Sequence, residues 1–499
     1  ETTERDRIAR AGLSEAEAEA CQALAGAMLT GDPALRAAPE LLARAGGRLG
    51  DLARLGMGLH RAFVVAHLDR PAVTVFLPEL LKAHRYWQAL GLPIDLVLAG
   101  GERIPDGLPV PGEGSVPPLH IPRGTAGPAE LDLIDAAARW VAEESPLAAA
   151  ARLRGFRPAP VGVPARRARA EAPAGSTERT QDLDGPRGLT FFNGLGGFTE
   201  AGDEYVIRLP GGPARCVPPR PWTNVIANDR FGFLVSETGA GTTWSGNSRE
   251  HRLTPWFNDA VLDPHGEALY IRDEDSGAFW SPMPGPVPHG GTYELRHGFG
   301  YTACHHTAGD LAVETTLFAH REDPLRFAAL RLRNRGRRPR RLSLFAYYRL
   351  VLGTLPEESG RFVVTEIDPA SKAVFAYNRL AGEFAEAVTF AAAAAPSGGR
   401  ALHATGDREA FLGRNGTAAA PRALRDAAPL DGRVGAGLDP CIAQQVVLEI
   451  PPGETAEVFF LFGEARGAQE ARELIARNTA PEAVAQALED ARDFWRDGL

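Results

Sequence analysis

Residues 311–351 read LAVETTLFAHREDPLRFAALRLRNRGRRPRRLSLFAYYRLV, and they indicate the architecture of the chain most clearly. The apolar segments Leu311–Ala319, Phe327–Leu332 and Leu342–Val351 are short and separated by charged or turn-forming residues. Segments of this kind are typical of β-strands. The same texture continues from residue 188 to about residue 465, with almost no helical stretch. Because this region is far longer than an immunoglobulin-type module of about 100 residues, we predict a large antiparallel β-supersandwich.

The arginine-rich segment at residues 331–341, RLRNRGRRPRR, lies between two of these predicted strands. We interpret it as a solvated hairpin turn rather than as a patch for phosphate or nucleic acid. The whole chain carries a formal net charge of −9, which does not favour binding to nucleic acid or to an anionic membrane surface. We therefore predict no nucleic-acid partner.

The chain has 499 residues, too many for one ordinary hydrophobic core, and its texture changes along the sequence. Residues 1–155 are predicted to form a small α/β domain. In that region the strand-like segments Ala62–Leu68 and Ile94–Leu98 flank a helical pattern at Phe76–Leu90. Such a crossover predicts a parallel sheet. A further helix is predicted over residues 129–145.

The remaining boundaries follow from composition. Residues 156–187 are rich in Pro, Ala, Gly and charge, with almost no large apolar residue, so we predict a disordered or extended linker. The supersandwich is assigned to residues 188–465. Helical periodicity returns over residues 466–499, and we expect these to be linker helices that lead to a domain beyond Leu499.

The four cysteines, at positions 21, 216, 304 and 441, are scattered and form no CxxC pair. This spacing favours a reducing compartment over a disulfide framework. No apolar run reaches the roughly 18 residues that cross a membrane, and we expect no signal peptide. We therefore expect a cytoplasmic location and no membrane span in this chain.

Residues 242–259, TTWSGNSREHRLTPWFND, form a segment that we call the lip. It combines flat aromatic rings, which can stack on the C–H faces of sugars, with Asn, Arg, His and Asp side chains that can hydrogen-bond to hydroxyl groups. That mixture suits a polyhydroxylated ligand. The alternative is a packed turn, in which the Trp residues plug one end of the sandwich and the charged residues pin the loop.

The glycine-rich segment Asn193–Phe198, NGLGGF, precedes a strand rather than a helix. It therefore lacks the helix N-terminus of a phosphate site, and we predict a tight turn. His305 and His306 are adjacent in a strand and should point to opposite faces, so no metal site is predicted.

Several carboxylates lie close together after the lip and could be considered as catalytic acids. We predict that they are solvated loop residues and that no buried acid stands among them. They are Asp259, Asp263, Glu267, Asp273, Glu274 and Asp275.

A long, ordered series of segments resembles the N-terminal sandwich of glycoside hydrolase family 94, the inverting glycoside phosphorylases. The resemblance is strongest to the branch fused into cyclic β-1,2-glucan synthases, and residues 61–98 also resemble the α/β segment before that sandwich. The matching segments are NGLGGF (193–198), DEYVI (203–207), PRPWTNVIANDRFGFLVSETGAGTTWSGNSREHRLTPWFND (219–259), GEALYIRDEDSGAFWSP (266–282) and HGFGYT (297–302).

The resemblance implies a galactose-mutarotase-like supersandwich, a helical linker and an (α/α)6 barrel. In the family, inorganic phosphate attacks the anomeric carbon and one Asp of the barrel protonates the leaving oxygen. The barrel would begin after Leu499, so we predict no catalytic residue and no metal in this chain, and phosphate as the co-substrate of the parent enzyme without another cofactor. The resemblance also implies a homodimer, and it is compatible with a parent anchored to the inner membrane.

In the family, the segment equivalent to the lip reaches the active site and helps to bind sugar. The resemblance therefore assigns hydrogen-bonding roles to some lip residues and stacking or bracing roles to others. Arg252 is the strongest of these candidates, because a guanidinium fork suits paired hydroxyls or phosphate. The substrate-binding candidates are Asn247, Arg249, Arg252, Asn258, Trp244 and Trp256.

Three functions are compatible with these observations. The first is a non-catalytic, carbohydrate-contacting part of a phosphorylase or glucan synthase acting on β-glucans, with a β-glucan oligosaccharide as the ligand. The second is a stand-alone carbohydrate-binding or scaffolding module. The third is a mutarotase-like enzyme, which would need His305 or His306 to converge with Glu314.

Overall fold

The computed structural model describes residues 4–58, 61–104, 116–155, 188–209, 217–399 and 401–498. The linker predicted over residues 156–187 lies outside this part of the chain. The chain divides into two compact units, one of Glu1–Arg166 with Arg379–Ala385 and the other of Arg167–Asn378 with Glu386–Leu499.

The first unit is a small α/β domain with a parallel sheet in the strand order β3-β2-β1-β4. The predicted strand–helix–strand crossover is confirmed, because β1 pairs in parallel with β2 on either side of α4 in the sequence. The helices are α1 (Glu4–Ala11), α2 (Glu15–Thr30), α3 (Pro39–Arg44), α4 (Pro71–Ala89), α5 (Pro128–Ala137) and α6 (Pro146–Gly155), and the strands are β1 (Ala62–His67), β2 (Ile94–Ala99), β3 (Leu119–Ile121) and β4 (Trp140–Val141).

The helix predicted over residues 129–145 is wrong in its second half. Helix α5 ends at Ala137, and the chain then enters β4 beside β1. Trp140 is buried in the main core of the unit, so burial of this large ring overrides the helical pattern. Helix propensity is a weak signal when a strand edge and an apolar pocket compete for the same residues.

The second unit is an antiparallel β-supersandwich, as the sequence predicts. Its strands are β5 (Leu189–Thr190), β6 (Gly196–Thr199), β7 (Glu204–Leu209), β8 (Thr223–Ala227), β9 (Phe231–Ser236), β10 (Gly241–Ser245), β11 (Glu267–Asp273), β12 (Phe279–Trp280), β13 (Tyr293–Gly298), β14 (Tyr301–Ala308), β15 (Leu311–Ala319), β16 (Leu325–Asn334), β17 (Arg340–Arg349), β18 (Val364–Ile367), β19 (Val374–Tyr377), β20 (Val388–Ala394), β21 (Ala401–Asp407), β22 (Pro440–Ile450) and β23 (Thr455–Ala465).

Within the described residues these strands form three sheets. The largest has eleven strands in the order β18-β19-β20-β23-β16-β15-β14-β13-β7-β6-β5. A five-stranded sheet has the order β12-β11-β17-β22-β21, and a three-stranded sheet has the order β10-β9-β8. One continuous core of buried aliphatic and aromatic side chains draws on strands of all three sheets. Its members include Phe233, Leu295, Leu330, Leu344, Ile442 and Phe460.

Five helices accompany the described strands of this unit: α7 (Pro356–Ser359), α8 (Arg408–Leu412), α9 (Arg422–Asp426), α10 (Ala468–Arg477) and α11 (Pro481–Gly498). Helices α10 and α11 share a second apolar cluster with the eleven-stranded sheet, in which Leu474 and Val484 join Phe327 and Phe459. Arg477 adds two hydrogen bonds to the carboxylate of Asp323, at 3.0 and 2.6 Å. The helices predicted after the sandwich are therefore packed on its face. No described helix is both long and apolar enough to traverse a membrane.

The arginine-rich segment at residues 331–341 is not a hairpin turn. Strand β16 belongs to the eleven-stranded sheet and β17 to the five-stranded sheet, so the segment carries the chain from one sheet to the other. A second crossing lies between β22 and β23. There the chain passes from the five-stranded sheet back to the eleven-stranded sheet. The hairpin prediction failed because strand spacing along the sequence does not reveal which sheet a strand joins.

Asn334 ties the two crossings together. Its side chain is fully buried, donates through Nδ2 to Arg338 O (2.7 Å) and Ile450 O (2.9 Å), and accepts from Gly336 N (3.0 Å). Its backbone also exchanges hydrogen bonds with Glu454 and Gly453 on the second crossing. The amide side chain of Asn334 thus makes hydrogen bonds to backbone groups at both crossings between the sheets.

Asn334→Ala should destabilise the supersandwich by about 2–4 kcal/mol, because it leaves two buried carbonyls and one N–H without their partner. The neighbouring Arg333→Ala, on an exposed side chain, should change stability by less than about 0.5 kcal/mol. Urea unfolding of both variants followed by tryptophan fluorescence measures the difference. Equal unfolding midpoints for the two variants would show that the Asn334 hydrogen bonds do not stabilise the two crossings between the sheets.

Candidate functional site

The lip begins as β10 and continues as a loop. In β10, Trp244 pairs directly with Gly232 of β9, and its half-buried indole lies over that glycine. A side chain at position 232 would collide with the indole ring. Trp244 therefore braces the first part of the lip against the three-stranded sheet.

A buried carboxylate supports the lip from below. Glu267, only 3% exposed, accepts hydrogen bonds from the hydroxyls of Thr243 (2.6 Å) and Thr254 (2.5 Å). Its other oxygen lies 2.6 Å from Arg326 Nη1. The guanidinium of Arg326 also lies over the ring of Phe233, 4.4 Å from its centroid. Glu267 belongs to β11, Arg326 to β16 and Thr243 to β10, so this junction joins all three sheets.

The prediction that the carboxylates after the lip are solvated is wrong for Glu267 and Asp273. Asp273 is buried at the end of β11 and pairs with Arg340, whose Nη2 lies 2.7 Å from its carboxylate. The sequence did not reveal these acids because their cationic partners lie about 60 residues or more further along the chain. Both carboxylates are held by ion pairs within the fold and have structural roles.

A second buried pair anchors the middle of the lip. The imidazole of His251 is buried, and its Nε2 lies 2.6 Å from Glu464 Oε2 on β23. The hydroxyl of Thr389 on β20 donates to the same oxygen at 3.3 Å. His251 therefore connects the lip to the eleven-stranded sheet through a buried side-chain contact. Removing one partner of a buried pair of this kind costs about 3–5 kcal/mol.

Arg252 holds the lip to the neighbouring loop. It exchanges backbone hydrogen bonds with Gly353, and its guanidinium donates to Ser248 O (3.0 Å) and Thr354 O (3.2 Å). The guanidinium also lies 5.7 Å from the centroid of the Trp256 ring. Two of its N–H groups are thus used by backbone carbonyls, and the others remain at the partly exposed edge beside Trp256.

Asn247 and Arg249 lie on the exposed turn of the lip. Asn247 Oδ1 accepts from the backbone N–H groups of Arg249 (2.9 Å) and Glu250 (3.0 Å), which gives this side chain a turn-forming role. The side chain of Arg249 is exposed. The structure therefore places the guanidinium of Arg252 beside Trp256 and pairs the backbone of Arg252 with that of Trp244. Asn247 and Arg249 lie on the turn between Trp244 and Arg252.

Residues 256–265 form a compact surface loop with closed ends, because the side chain of Pro255 packs against Gly266. Loops of this shape are frequently functional. Trp256 is 46% exposed at its start, and Asn258 is exposed with a left-handed φ of 47°. At its tip Val261 and Leu262 are 86% and 75% exposed.

Asp259 shapes this loop and is not set up to donate a proton. Its Oδ1 accepts from the backbone N–H groups of Val261 (2.9 Å) and Leu262 (3.0 Å). These hydrogen bonds stabilise the carboxylate and lower the pKa of Asp259. The lip therefore offers an aromatic surface and hydrogen-bond donors, the chemistry of sugar binding.

Of the two histidines in the mutarotase-like alternative, only His305 lies beside Glu314, and His305 is exposed on the surface of the sheet. The imidazole of His306 is buried and stacked on Tyr293, with ring centroids 3.9 Å apart, and burial lowers its pKa to about 4. His305 points to the opposite, exposed face, where Glu314 is its cross-strand neighbour. Among the described residues, no three His, Cys, Asp or Glu side chains are grouped so that they could hold a metal ion.

Glu237 is a buried acid that the sequence analysis missed. It follows β9, is 2% exposed, and accepts a hydrogen bond from Trp222 N at 2.8 Å. Burial raises its pKa to about 7, and the nearby Asp263 carboxylate adds to the increase. A Glu at the turn between two strands carries no sequence signal for burial, so only the fold reveals it.

The α/β unit also has polar side chains at the carboxyl ends of its parallel strands. His67 ends β1, and its Nε2 lies 2.6 Å from the buried carboxylate of Asp135 on α5. Asp69 accepts from Gly101 N at 3.1 Å and pairs with Arg123. This edge is where open α/β sheets commonly bind ligands. These residues come from four separate segments, so the sequence did not indicate their proximity.

Comparison with known proteins shows which family and which enzymes this chain is similar to. The profile of the glycosyl hydrolase 94 supersandwich domain matches residues 203–481. The cyclic beta-(1,2)-glucan synthase NdvB of Rhizobium meliloti is 37% identical over 317 residues, which are 63% of this chain and 11% of the synthase. Solabiose phosphorylase of Paenibacillus borealis is 29% identical over 307 residues, 58% of this chain and 37% of the enzyme. This chain thus spans well under half the length of either relative.

Among solved structures, a bacterial glucoamylase in complex with acarbose aligns over 58% of this chain and 40% of its own, with 8% sequence identity and a TM-score of 0.34. The predicted resemblance to the phosphorylases and the glucan synthase is confirmed by the family match and by the two relatives.

Glu237 should make stability depend on pH in a defined interval. Between its ordinary pKa of about 4.5 and its folded pKa of about 7, the folded state keeps a proton that the unfolded state has lost. The stability due to Glu237 is therefore present below pH 4.5 and is lost as the pH rises to 7. Relative to the wild type, Glu237→Gln should gain on the order of 3 kcal/mol between pH 4.5 and pH 8.

Urea unfolding of both proteins at the two pH values measures this gain. The exposed Glu200→Gln is the control, and it should follow the wild type at both pH values. If the stability difference between Glu237→Gln and the wild type is the same at both pH values, the proposed shift of the Glu237 pKa is wrong.

Proposed function

Because the match over residues 203–481 makes this chain a member of the glycosyl hydrolase 94 family, we propose that it is the non-catalytic, carbohydrate-contacting part of an enzyme acting on β-glucans. The parent enzyme would be of the glycoside phosphorylase or cyclic β-1,2-glucan synthase type. The chain would contribute the lip to a sugar site whose proton donor lies elsewhere in the parent.

The observation that carries this proposal is the pairing of an exposed Trp256 with the guanidinium of Arg252 on a loop that is pinned from below. An exposed indole can stack on the apolar face of a pyranose, and adjacent N–H groups can donate to its hydroxyls. The buried Glu267 and His251 hold the backbone of the loop, so little freedom is lost when a ligand binds.

The roles of the individual residues follow from their contacts. Trp256 would stack on the sugar, while Arg249, Asn258 and the free edge of Arg252 would donate hydrogen bonds. Asn247 and Trp244 would shape and brace the lip, since their contacts lie within the fold. Asp259 would cap the loop and take no part in proton transfer.

We also propose that the parent uses inorganic phosphate and no other cofactor, and that it works as a homodimer in the cytoplasm. The cytoplasmic location is supported by three free thiols, Cys21, Cys304 and Cys441, which are all buried and unpaired with each other. Burial raises the pKa of each of them, so none is a reactive thiolate.

Isothermal titration of this chain with short β-1,2-gluco-oligosaccharides tests the proposal, with cello-oligosaccharides as the linkage control. Trp256→Ala should weaken binding about tenfold, from the loss of a stacked aromatic worth about 1.5 kcal/mol. Arg249→Ala should weaken it by a similar factor, because a hydrogen bond from a charged group contributes about 1.5–3 kcal/mol. Neither side chain is buried, so the unfolding midpoint should stay unchanged.

Arg333→Ala is the matched control, since Arg333 is an exposed arginine on a strand of the same unit. It should bind like the wild type. Saturable binding that Trp256→Ala and Arg249→Ala do not weaken would contradict the assignment of the lip, and so would the absence of binding by the wild type. Preference for the β-1,2 series over the cello series would support the glucan-synthase type of parent.

A further inference from the structure

We propose a second ligand site in the supersandwich unit, on the outer side of the five-stranded sheet, which binds a pyranose carrying one phosphate or carboxylate group. A cavity of about 420 Å³ lies there. This volume falls in the range of small-molecule sites, roughly 300–1,000 Å³. Its polar lining includes Tyr347, Arg349, Arg408 and His265, and its apolar lining includes Phe257 and Leu412.

The alternation of side chains along β17 produces one wall of the cavity. Phe345, Tyr347 and Arg349 are two residues apart and therefore lie on the same face of the strand. The segment containing α8 and α9 covers the first two, with the ring of Phe411 stacked on Tyr347 at 5.0 Å. The segment that contains α8 and α9 does not cover Arg349, and the cavity opens beside this residue.

Both walls of the cavity are held in place by the fold. On one side, Tyr270 donates its hydroxyl proton to Ala418 O at 2.9 Å and holds residues 416–419. On the other side, Asp263 accepts from the hydroxyls of Ser236 (2.7 Å) and Thr238 (2.6 Å), which fixes the loop of residues 256–265. The site is therefore formed before a ligand arrives, which lowers the entropic cost of binding.

The guanidinium of Arg349 is the group in the lining that favours an anionic ligand. Arg408 is neutralised by Asp439, to which its Nε donates at 2.8 Å. No carboxylate of the described residues pairs with the guanidinium of Arg349, which lines the cavity and is partly buried. The Asp263 carboxylate is occupied by two hydroxyl donors. Arg349 thus presents to the cavity a guanidinium that no described carboxylate pairs with, and a guanidinium binds phosphate or carboxylate in a bidentate manner.

The other lining residues favour a sugar over a bare anion. Tyr347 is 2% exposed, yet it lines the cavity, and the positive charges of Arg408 and Arg349 act on its hydroxyl and oppose the increase that burial causes in its pKa. A hydroxyl in this position can exchange hydrogen bonds with a sugar hydroxyl. Phe257 and Leu412 supply apolar contacts for the C–H face of the ring.

Titration calorimetry of the full chain with four probes tests the inference: glucose 1-phosphate, glucuronate, glucose and inorganic phosphate. One of the two anionic sugars should bind at least tenfold more tightly than both glucose and inorganic phosphate. The glucose 1-phosphate and glucuronate arms decide between a phosphorylated and a carboxylated sugar. Inorganic phosphate binding as tightly as either sugar would overturn the proposal, and so would no binding of either sugar.

Arg349→Gln should weaken binding of the preferred anionic sugar at least tenfold, whereas Arg331→Gln, at an exposed position on β16, should leave it unchanged. If Arg349→Gln does not fold, Ala419→Trp at the exposed rim of the cavity should block binding instead. Binding that survives both changes would place the ligand elsewhere and overturn the inference.

This inference does not rest on the proposed function of the lip, and the two can fail separately. Arg249→Ala, which should weaken β-glucan binding, should leave binding of the anionic sugar unchanged. A neutral β-1,2-gluco-oligosaccharide should not compete with the anionic sugar. Competition between them, or a matching loss in Arg249→Ala, would show that a single site binds both ligands and would overturn the second site.

Discussion

The supersandwich depends on a buried ionic junction in which Arg326 meets Glu267, with the hydroxyls of Thr243 and Thr254 completing the hydrogen bonds. Hydrophobic burial can bring three sheets together, but it does not specify their relative positions. A buried carboxylate with a guanidinium and two hydroxyl partners does, because any shift of one sheet would leave a charge without its partner. The lip is attached to this junction through Thr243 and Thr254.

Because several buried or hydrogen-bonded side chains hold the lip, we expect it to be more rigid than its exposed position suggests. His251 pairs with Glu464 of the eleven-stranded sheet, and Arg252 joins the lip to Gly353 and Thr354. The guanidinium that the family resemblance assigned to sugar binding is partly engaged by the protein itself. More lip side chains are engaged in holding the loop than remain available at its surface. Trp256 and Arg249 remain available at the surface.

The sequence was sufficient to predict the fold class and the crossover in the α/β unit, because these depend on local patterns. The short apolar segments Leu311–Ala319 and Leu342–Val351 can be recognised from neighbouring residues alone. The sheet crossing at residues 331–341 and the burial of Glu267 and Glu237 could not be predicted, since each depends on partners distant in the chain. The cavity beside Arg349 has walls from five separated segments, so no sequence motif indicates it. The helix predicted over residues 129–145 was too long for a related reason, because burial of Trp140 in the core favours a strand over a continued helix.

Hydrogen–deuterium exchange of this chain, read by peptide mass spectrometry with and without short β-1,2-gluco-oligosaccharides, tests the central claim most directly. The claim is that a pre-formed lip, held by the buried junction, contacts sugar. The account predicts slow exchange at the backbone amides of Thr243 and Leu253 in the free protein, since both are hydrogen-bonded within the fold. It also predicts additional protection on sugar binding in peptides covering residues 246–258, with residues 311–334 unchanged. Protection confined to peptides outside the lip, or fast exchange throughout the free lip, would contradict it.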